Sequence, residues 1–173
     1  MIHALTNWVI GTTLAQLRRW QDAGFDLCVA INISTRNLLD RAFPDTLKEL
    51  IDKHRVEASC IELEITESSL ISDPERTQAS LHKIASLGVT LSIDDFVTGY
   101  SSLSYLKRLP VQAIKIDRSF VTGMLTDQQD LVIVRSTINM ARNLGLQVVA
   151  EGAEDRATYD TLRGMGCDFV QGY

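Results

Sequence analysis

The chain has 173 residues, 45% of them hydrophobic, 23% charged and 6% aromatic, with a formal net charge of -5. That profile describes one globular domain and excludes disorder, a collagen repeat and a disulfide-dense scaffold. Acidity without a Lys/Arg run argues against long nucleic acid as a partner, because duplex affinity rests mainly on neutralising many phosphates.

In chain order, Trp8, Val9, Leu14, Leu17 and Trp20 approximate helical spacing and stop at Gly24, predicting an amphipathic first helix. Leu27 to Ile33 reads as a strand. Pro44 marks the start of a helix through Leu47, Leu50 and Ile51, which leads to a strand from Cys60 to Ile65. Asp73 as N-cap and Pro74 at the first helical position predict a helix with Leu81, Ile84 and Ala85 on its apolar stripe, ended at Gly88. Val89 to Ile93 is a third strand. A short helix over 101–109 stops at Pro110, a fourth strand covers Val111 to Ile116, and a longer helix from Leu131 to Leu144 ends at Gly145. Gln147 to Ala150 is strand five, a helix covers 157–165, and Asp168 to Gln171 is strand six.

Six strands separated by helices imply parallel pairing through crossovers, hence an α/β fold. Asn32-Ile33-Ser34-Thr35 supplies no glycine-rich phosphate turn after the first strand, which argues against a dinucleotide-type open sheet. The remaining choice is between an open doubly wound sheet and a (β/α)8 barrel, in a single domain over 1–173, and the strand-tip residues favour the barrel. No apolar run approaches the ~20 residues of a bilayer span, and Met1-Ile2-His3 opens no leader, so a cytoplasmic chain, or the cytoplasmic part of something larger, is expected. Cys28, Cys60 and Cys167 lie in apolar stretches without C-x-x-C spacing and read as small core residues.

Every strand ends in a residue able to bind a cation or move a proton: Asn32, Glu64, Asp94 with Asp95, Lys115 with Asp117, Glu151, and Gln171. In parallel strands these tips share one end of the sheet, the end that carries chemistry in a (β/α)8 barrel. Period-2 alternation puts Ala30 with Asn32, Glu62 with Glu64, and Thr90 with Ser92 and Asp94, leaving Ile61, Leu63, Ile65, Leu91 and Ile93 to pack under helices. The donor set is all oxygen and favours Mg²⁺, Mn²⁺ or Ca²⁺. Asp94-Asp95 suits a pair of ions ~3.5–4 Å apart, the spacing used for displacement at phosphorus. Lys115 can stabilise developing charge beside them. Each residue also has a structural reading: Asp94-Asp95 as a solvated turn, Lys115 in a simple ion pair, Glu64, Glu67 and Glu151 as caps, Asn32 in a turn. Their joint occurrence at six strand tips favours a two-metal phosphodiesterase.

The motifs Ala30-Ile31-Asn32-Ile33-Ser34, Leu63-Glu64-Ile65-Thr66-Glu67-Ser68, Ile93-Asp94-Asp95-Phe96 through Thr98-Gly99-Tyr100-Ser101-Ser102, Ile114-Lys115-Ile116-Asp117, Ala150-Glu151-Gly152 and Gln171-Gly172-Tyr173 resemble, in order, the signatures of EAL domains, the cyclic di-GMP phosphodiesterases. The resemblance implies two Mg²⁺ or Mn²⁺ ions and linearisation of cyclic di-GMP to pGpG. It implies metal ligation by Asn32, Glu64, Asp94, Asp95 and Glu151, with Asp95 between the ions. Lys115 matches the lysine that orients the attacking water, and Glu151 and Gln171 complete the metal and water shell. Glu67 matches the glutamate holding the loop after Asp95, and Asp117 is expected to contact substrate. Two departures stand out: Val97 occupies a position usually held by glycine, and no Glu-Ala-Leu occurs in the sequence. The resemblance therefore implies an incomplete (β/α)8 TIM-like barrel of about six βα units, whose two open edges lead us to expect a homodimer or an exchange of strands. The rival readings are a catalytically inactive cyclic di-GMP receptor or protein-interaction module, and an unrelated metal-dependent barrel enzyme.

Overall fold

A computed structural model of the chain describes residues 2–70, 73–97 and 103–172. The expected features at Thr98 to Ser102 and at Tyr173 lie outside the described residues. The chain divides into two compact units, the first made of Met1–Ile65, Ser69–Leu91 and Arg108–Pro110, the second of Thr66–Ser68, Ser92–Lys107 and Val111–Tyr173.

The first unit opens with α1 (Ile2–Asp22), β1 (Val29–Ile33), α2 (Thr35–Leu38) and α3 (Phe43–His54), followed by β2 (Ile61–Thr66) and α4 (Pro74–Ala85). The buried stripe of α1 is Ile10, Leu14 and Leu17, whereas Trp8 is 66% and Trp20 37% exposed. This corrects the expected apolar face: at 100° per residue both tryptophans lie about 120° from Leu14, on opposite flanks. α1 packs on α3, which buries Phe43, Pro44, Leu47 and Ile51. The Asp73 carboxylate accepts the Arg76 amide and Pro74 follows it, so α4 starts where the sequence placed it. β1 pairs with β2 in parallel, Val29 opposite Ile61 and Asn32 opposite Glu64.

The second unit contains β3 (Thr90–Phe96) from Ser92 onward, α5 (Leu103–Leu106), β4 (Ala113–Ile116), α6 (Arg118–Gly123), α7 (Gln128–Asn143), β5 (Gln147–Glu151), α8 (Arg156–Met165) and β6 (Phe169–Gln171). β3 to β4, β4 to β5 and β5 to β6 are all parallel, and α7 packs against β4 and β5. The α/β class with parallel strands and intervening helices is therefore as expected. β6 begins one residue late because the Asp168 carboxylate, in place of its backbone, accepts the Val148 amide at 2.9 Å. α2 and α6 are absent from the sequence reading; at four and six residues they are too short to print a helical period.

The apolar positions expected under the helices are buried in both units: Ile61, Leu63, Ile65, Leu91 and Ile93 are at most 1% exposed. The cysteines depart from expectation. Cys28 is exposed, while Cys60 and Cys167 are only half-buried, and all three are free thiols. Cys28 precedes β1 and Cys60 closes a single 3₁₀ turn before β2, so both sit at strand entrances instead of in strand interiors. Among the described residues no helix is long and apolar enough to cross a membrane.

Candidate active site

In the first unit, alternation along β1 buries Ile31 and Ile33 and turns Asn32 to the other face. The register brings Asn32 beside Glu64 on β2, and its Nδ2 donates to Glu64 Oε2 at 2.9 Å. Glu64 is 7% exposed, so the carboxylate is held by the amide in a largely dry setting.

The second unit gathers the greater charge. The β3–β4 register shifts between Ile93 and Phe96, so Asp94 and Asp95 occupy a bulge, a device that re-aims side chains at the end of a strand. Asp95 has φ 52 and donates its amide to Asp94 Oδ1 at 3.0 Å. From β4, Lys115 places Nζ 2.6 Å from Glu151 Oε1 and 3.8 Å from Asp94 Oδ1, with the lysine only 6% exposed. The paired strand tips dictate this meeting: Lys115 lies opposite Val149, two residues from Glu151, and Glu151 lies opposite Gln171.

Asp117, at the tip of β4, caps α6. Its carboxylate accepts the Ser119 amide at 2.9 Å and the Ser119 hydroxyl. Burial pushes the Asp117 carboxyl up, but the two Ser119 bonds and a hydrogen bond with Asp95 outweigh it and leave it below the usual aspartate range. Asp95 moves the other way: burial first, then the charges of Asp94, Asp117 and Glu151, hold its carboxyl above that range.

The turn after Asp95 hangs on Glu67, a 2% exposed residue whose Oε2 accepts the Val97 amide at 3.1 Å. Val97 adopts φ 84, a region that a β-branched side chain occupies only under strain. At the far side of the unit the Gln171 carbonyl accepts the amides of Gly152, at 2.8 Å, and Ala153, at 3.2 Å. Gly152 has φ 80, and a Cβ there would stand 2.7 Å from Cβ of Arg118, so glycine is required at this approach. A pocket of about 260 Å³ opens between Arg118, Glu151, Glu154 and Gln171. Arg118 was not singled out from the sequence. Its signal is its place directly after Asp117 at a strand tip, where a cation lines the same pocket as Glu151.

A match to the EAL domain family model runs over residues 1–173. The chain belongs to the EAL domain family. This EAL domain is 41% identical over 174 residues to the cyclic di-GMP phosphodiesterase NbdA of Pseudomonas aeruginosa, covering 100% of this chain and 22% of that protein. It is 37% identical to MucR of the same organism, a bifunctional diguanylate cyclase/cyclic di-GMP phosphodiesterase, of which it covers 25%. The chain thus spans about a quarter or less of these curated relatives. Its fold superposes on the MucR phosphodiesterase in complex with cyclic di-GMP with TM-score 0.95 and 38% identity, covering 99% of this chain and 70% of that one. The EAL domain of Mycobacterium smegmatis DcpA gives TM-score 0.93 and 39% identity, covering 99% of this chain and 78% of the other. The expected α/β fold of parallel strands and helices is shared with these solved EAL structures.

Proposed function

We propose that this EAL domain carries the chemistry of a cyclic di-GMP phosphodiesterase, opening the cyclic dinucleotide to linear pGpG. The observation that carries the reading is buried Lys115, ion-paired with Glu151 and facing Asp94, at the tips of parallel strands beside the bulged Asp95.

The residues fit divalent cations. The donors are oxygens, and burial, followed by the charges of Asp94, Asp117 and Glu151, holds the Asp95 carboxyl above its usual range. Among the described residues no three His, Cys, Asp or Glu side chains converge closely enough to hold an ion by themselves. Lys115 meanwhile balances part of the acidic charge. Two Mg²⁺ or Mn²⁺ ions would be held by Asn32, Glu64, Asp94, Asp95 and Glu151, an assignment that rests on the family resemblance. Bound there, the ions would supply an acidified water and neutralise charge on the phosphate.

The chain's own residues do the positioning. Lys115 Nζ orients the attacking water and offsets negative charge as the new O–P bond forms and the bond from phosphorus to the 3′ oxygen breaks. Glu151, fixed by Lys115, accepts a hydrogen bond from that water, and Gln171 completes its surroundings. Asp117 contacts substrate from its capping position, and Glu67 holds the turn after Asp95 in place.

Turnover of cyclic di-GMP with Mg²⁺ or Mn²⁺ tests this. Production of pGpG, abolished by Asp94→Asn, is expected. Tight calorimetric binding without product would instead support the receptor reading, which the strained Val97 turn favours. Among the described residues β1 pairs only with β2 and β6 only with β5, and Phe25, Leu27 and Phe169 are exposed near those strands. We therefore propose a homodimer or strand exchange. Light scattering at the monomer mass would refute it.

A further inference from the structure

The entrances of β1 and β2, four residues before Asn32 and Glu64, carry a pair of thiols that the phosphodiesterase reading does not use. The parallel register Val29 opposite Ile61, taken one step back, sets Cys28 opposite Cys60. Alternation places residues 30 and 32 on one face of β1 and 62 and 64 on the same face of β2, and Cys28 and Cys60 each stand one residue before their strand, Cys60 at the end of a 3₁₀ turn. At the other end of that face the paired side chains do meet, since Asn32 hydrogen bonds Glu64 at 2.9 Å. Cys60 is also among the neighbours that raise the Cys28 thiol, after burial. Neighbouring parallel strands lie about 4.8 Å apart. That falls inside the roughly 4.4–6.8 Å between Cα atoms that a disulfide requires. Both thiols are free, Cys28 exposed and Cys60 half-buried.

We propose that Cys28 and Cys60 form a reversible disulfide clamp across the entrances of β1 and β2, closed by exchange with a low-molecular-weight disulfide. The Cys28 thiolate, the accessible one, attacks the small disulfide, forming a mixed disulfide and releasing one small thiolate. Cys60 then gives its proton to solvent and attacks the Cys28 sulfur, forming the intrachain bond and releasing the second small thiolate. Two protein thiols and one small disulfide become one protein disulfide and two small thiols, so atoms and electrons balance. Burial, then Cys60, Asp26 and Glu62, hold the Cys28 thiol above its ordinary range, so exchange is slow near neutrality and faster under mildly alkaline conditions. The bond closes the loop that carries α2 and α3, and loop closure restrains the unfolded chain.

The test incubates the 173-residue chain with oxidised glutathione at mildly alkaline pH, followed by thiol titration, intact mass and peptide mapping. The expected result is a fall from three titratable thiols to one, a mass loss of two hydrogens, and a peptide linking Cys28 to Cys60. The thermal midpoint should rise by about 5–10 °C and return on reduction. In Cys60→Ser, Cys28 should stop as the glutathione adduct. Three persistent thiols, a stable glutathione adduct or interchain link in the unsubstituted chain, or an unchanged midpoint in the linked form would each overturn the proposal. Peptide mapping of the unsubstituted chain decides the matter even if Cys60→Ser fails to fold.

Discussion

The Lys115 ammonium lies 2.6 Å from the Glu151 carboxylate, two buried or half-buried charges from neighbouring parallel strands that neutralise each other. A pair of this kind adds modest net stability, because desolvation offsets much of the attraction, yet removing one partner leaves the other uncompensated. Lys115→Met is therefore expected to lower unfolding free energy by about 3 kcal/mol, and the double change with Glu151→Gln to lose less than the sum of the single changes. Urea denaturation of the three variants measures it. Additive losses would show that the pair does not act as a unit.

Val97 is held at φ 84 by a chain that also anchors its amide on buried Glu67. Replacing it with glycine removes side-chain strain of about 1–3 kcal/mol but increases unfolded-state freedom by up to about 1 kcal/mol. Val97→Gly should therefore stabilise the chain by about 1 kcal/mol. Glu67→Ala should cost about 1–3 kcal/mol by stranding the Val97 amide. Denaturant midpoints at constant m-value check both, and a destabilised Val97→Gly would mean that valine packing outweighs the strain.

Much of this was legible in the sequence where one residue does one local job. Asp73-Pro74 announced a helix start, and β1 alternated as read, because capping and period-2 burial need only near neighbours. Within each unit the neighbouring strand tips were legible, Asn32 with Glu64 in the first and Asp94 and Glu151 with Lys115 in the second, since parallel strands present their C-terminal tips together. Tertiary placement hid the rest. Nothing in the spacing of Trp8 and Trp20 says that Ile10, Leu14 and Leu17 would take the buried stripe of α1. The capping role of Asp117 escaped because α6 is only six residues long. The bulge at Asp94-Asp95 likewise depends on pairing with β4, a strand about twenty residues further along.

Two glycines of the second unit should respond to alanine in opposite ways. A Cβ on Gly172 would fall 1.9 Å from the Ala153 carbonyl oxygen, which is backbone and cannot swing aside. Gly172→Ala must push the end of β6 off the Gln171 bridge to Gly152 and Ala153, at a cost of about 2–4 kcal/mol. Gly164 lies within α8, and a Cβ there meets nothing within 4 Å. Gly164→Ala should stabilise by about 0.5 kcal/mol through helix propensity alone. Thermal unfolding of the two variants side by side tests the contrast, which fails if both move in the same direction.

Cys167 gives a pH dependence separate from the carboxylates. Its thiol lies 3.2 Å from the Phe169 carbonyl and 3.5 Å from that of Val148. Burial, the largest influence, pushes it above the ordinary value of 9.0, against smaller opposing pulls from nearby backbone groups. With the folded value raised, the unfolded chain loses this proton first as pH rises. The contribution of Cys167 is then fully present below pH 9 and declines as pH climbs through 9 toward the folded value. Cys167→Ala removes that titration but leaves every other group in place. The stability gap between parent and variant should be constant from neutrality to about pH 8.5 and shift against the parent above pH 9. Urea midpoints across that range measure the gap, and one that stays flat would show that the thiol titrates alike in the folded and unfolded chains.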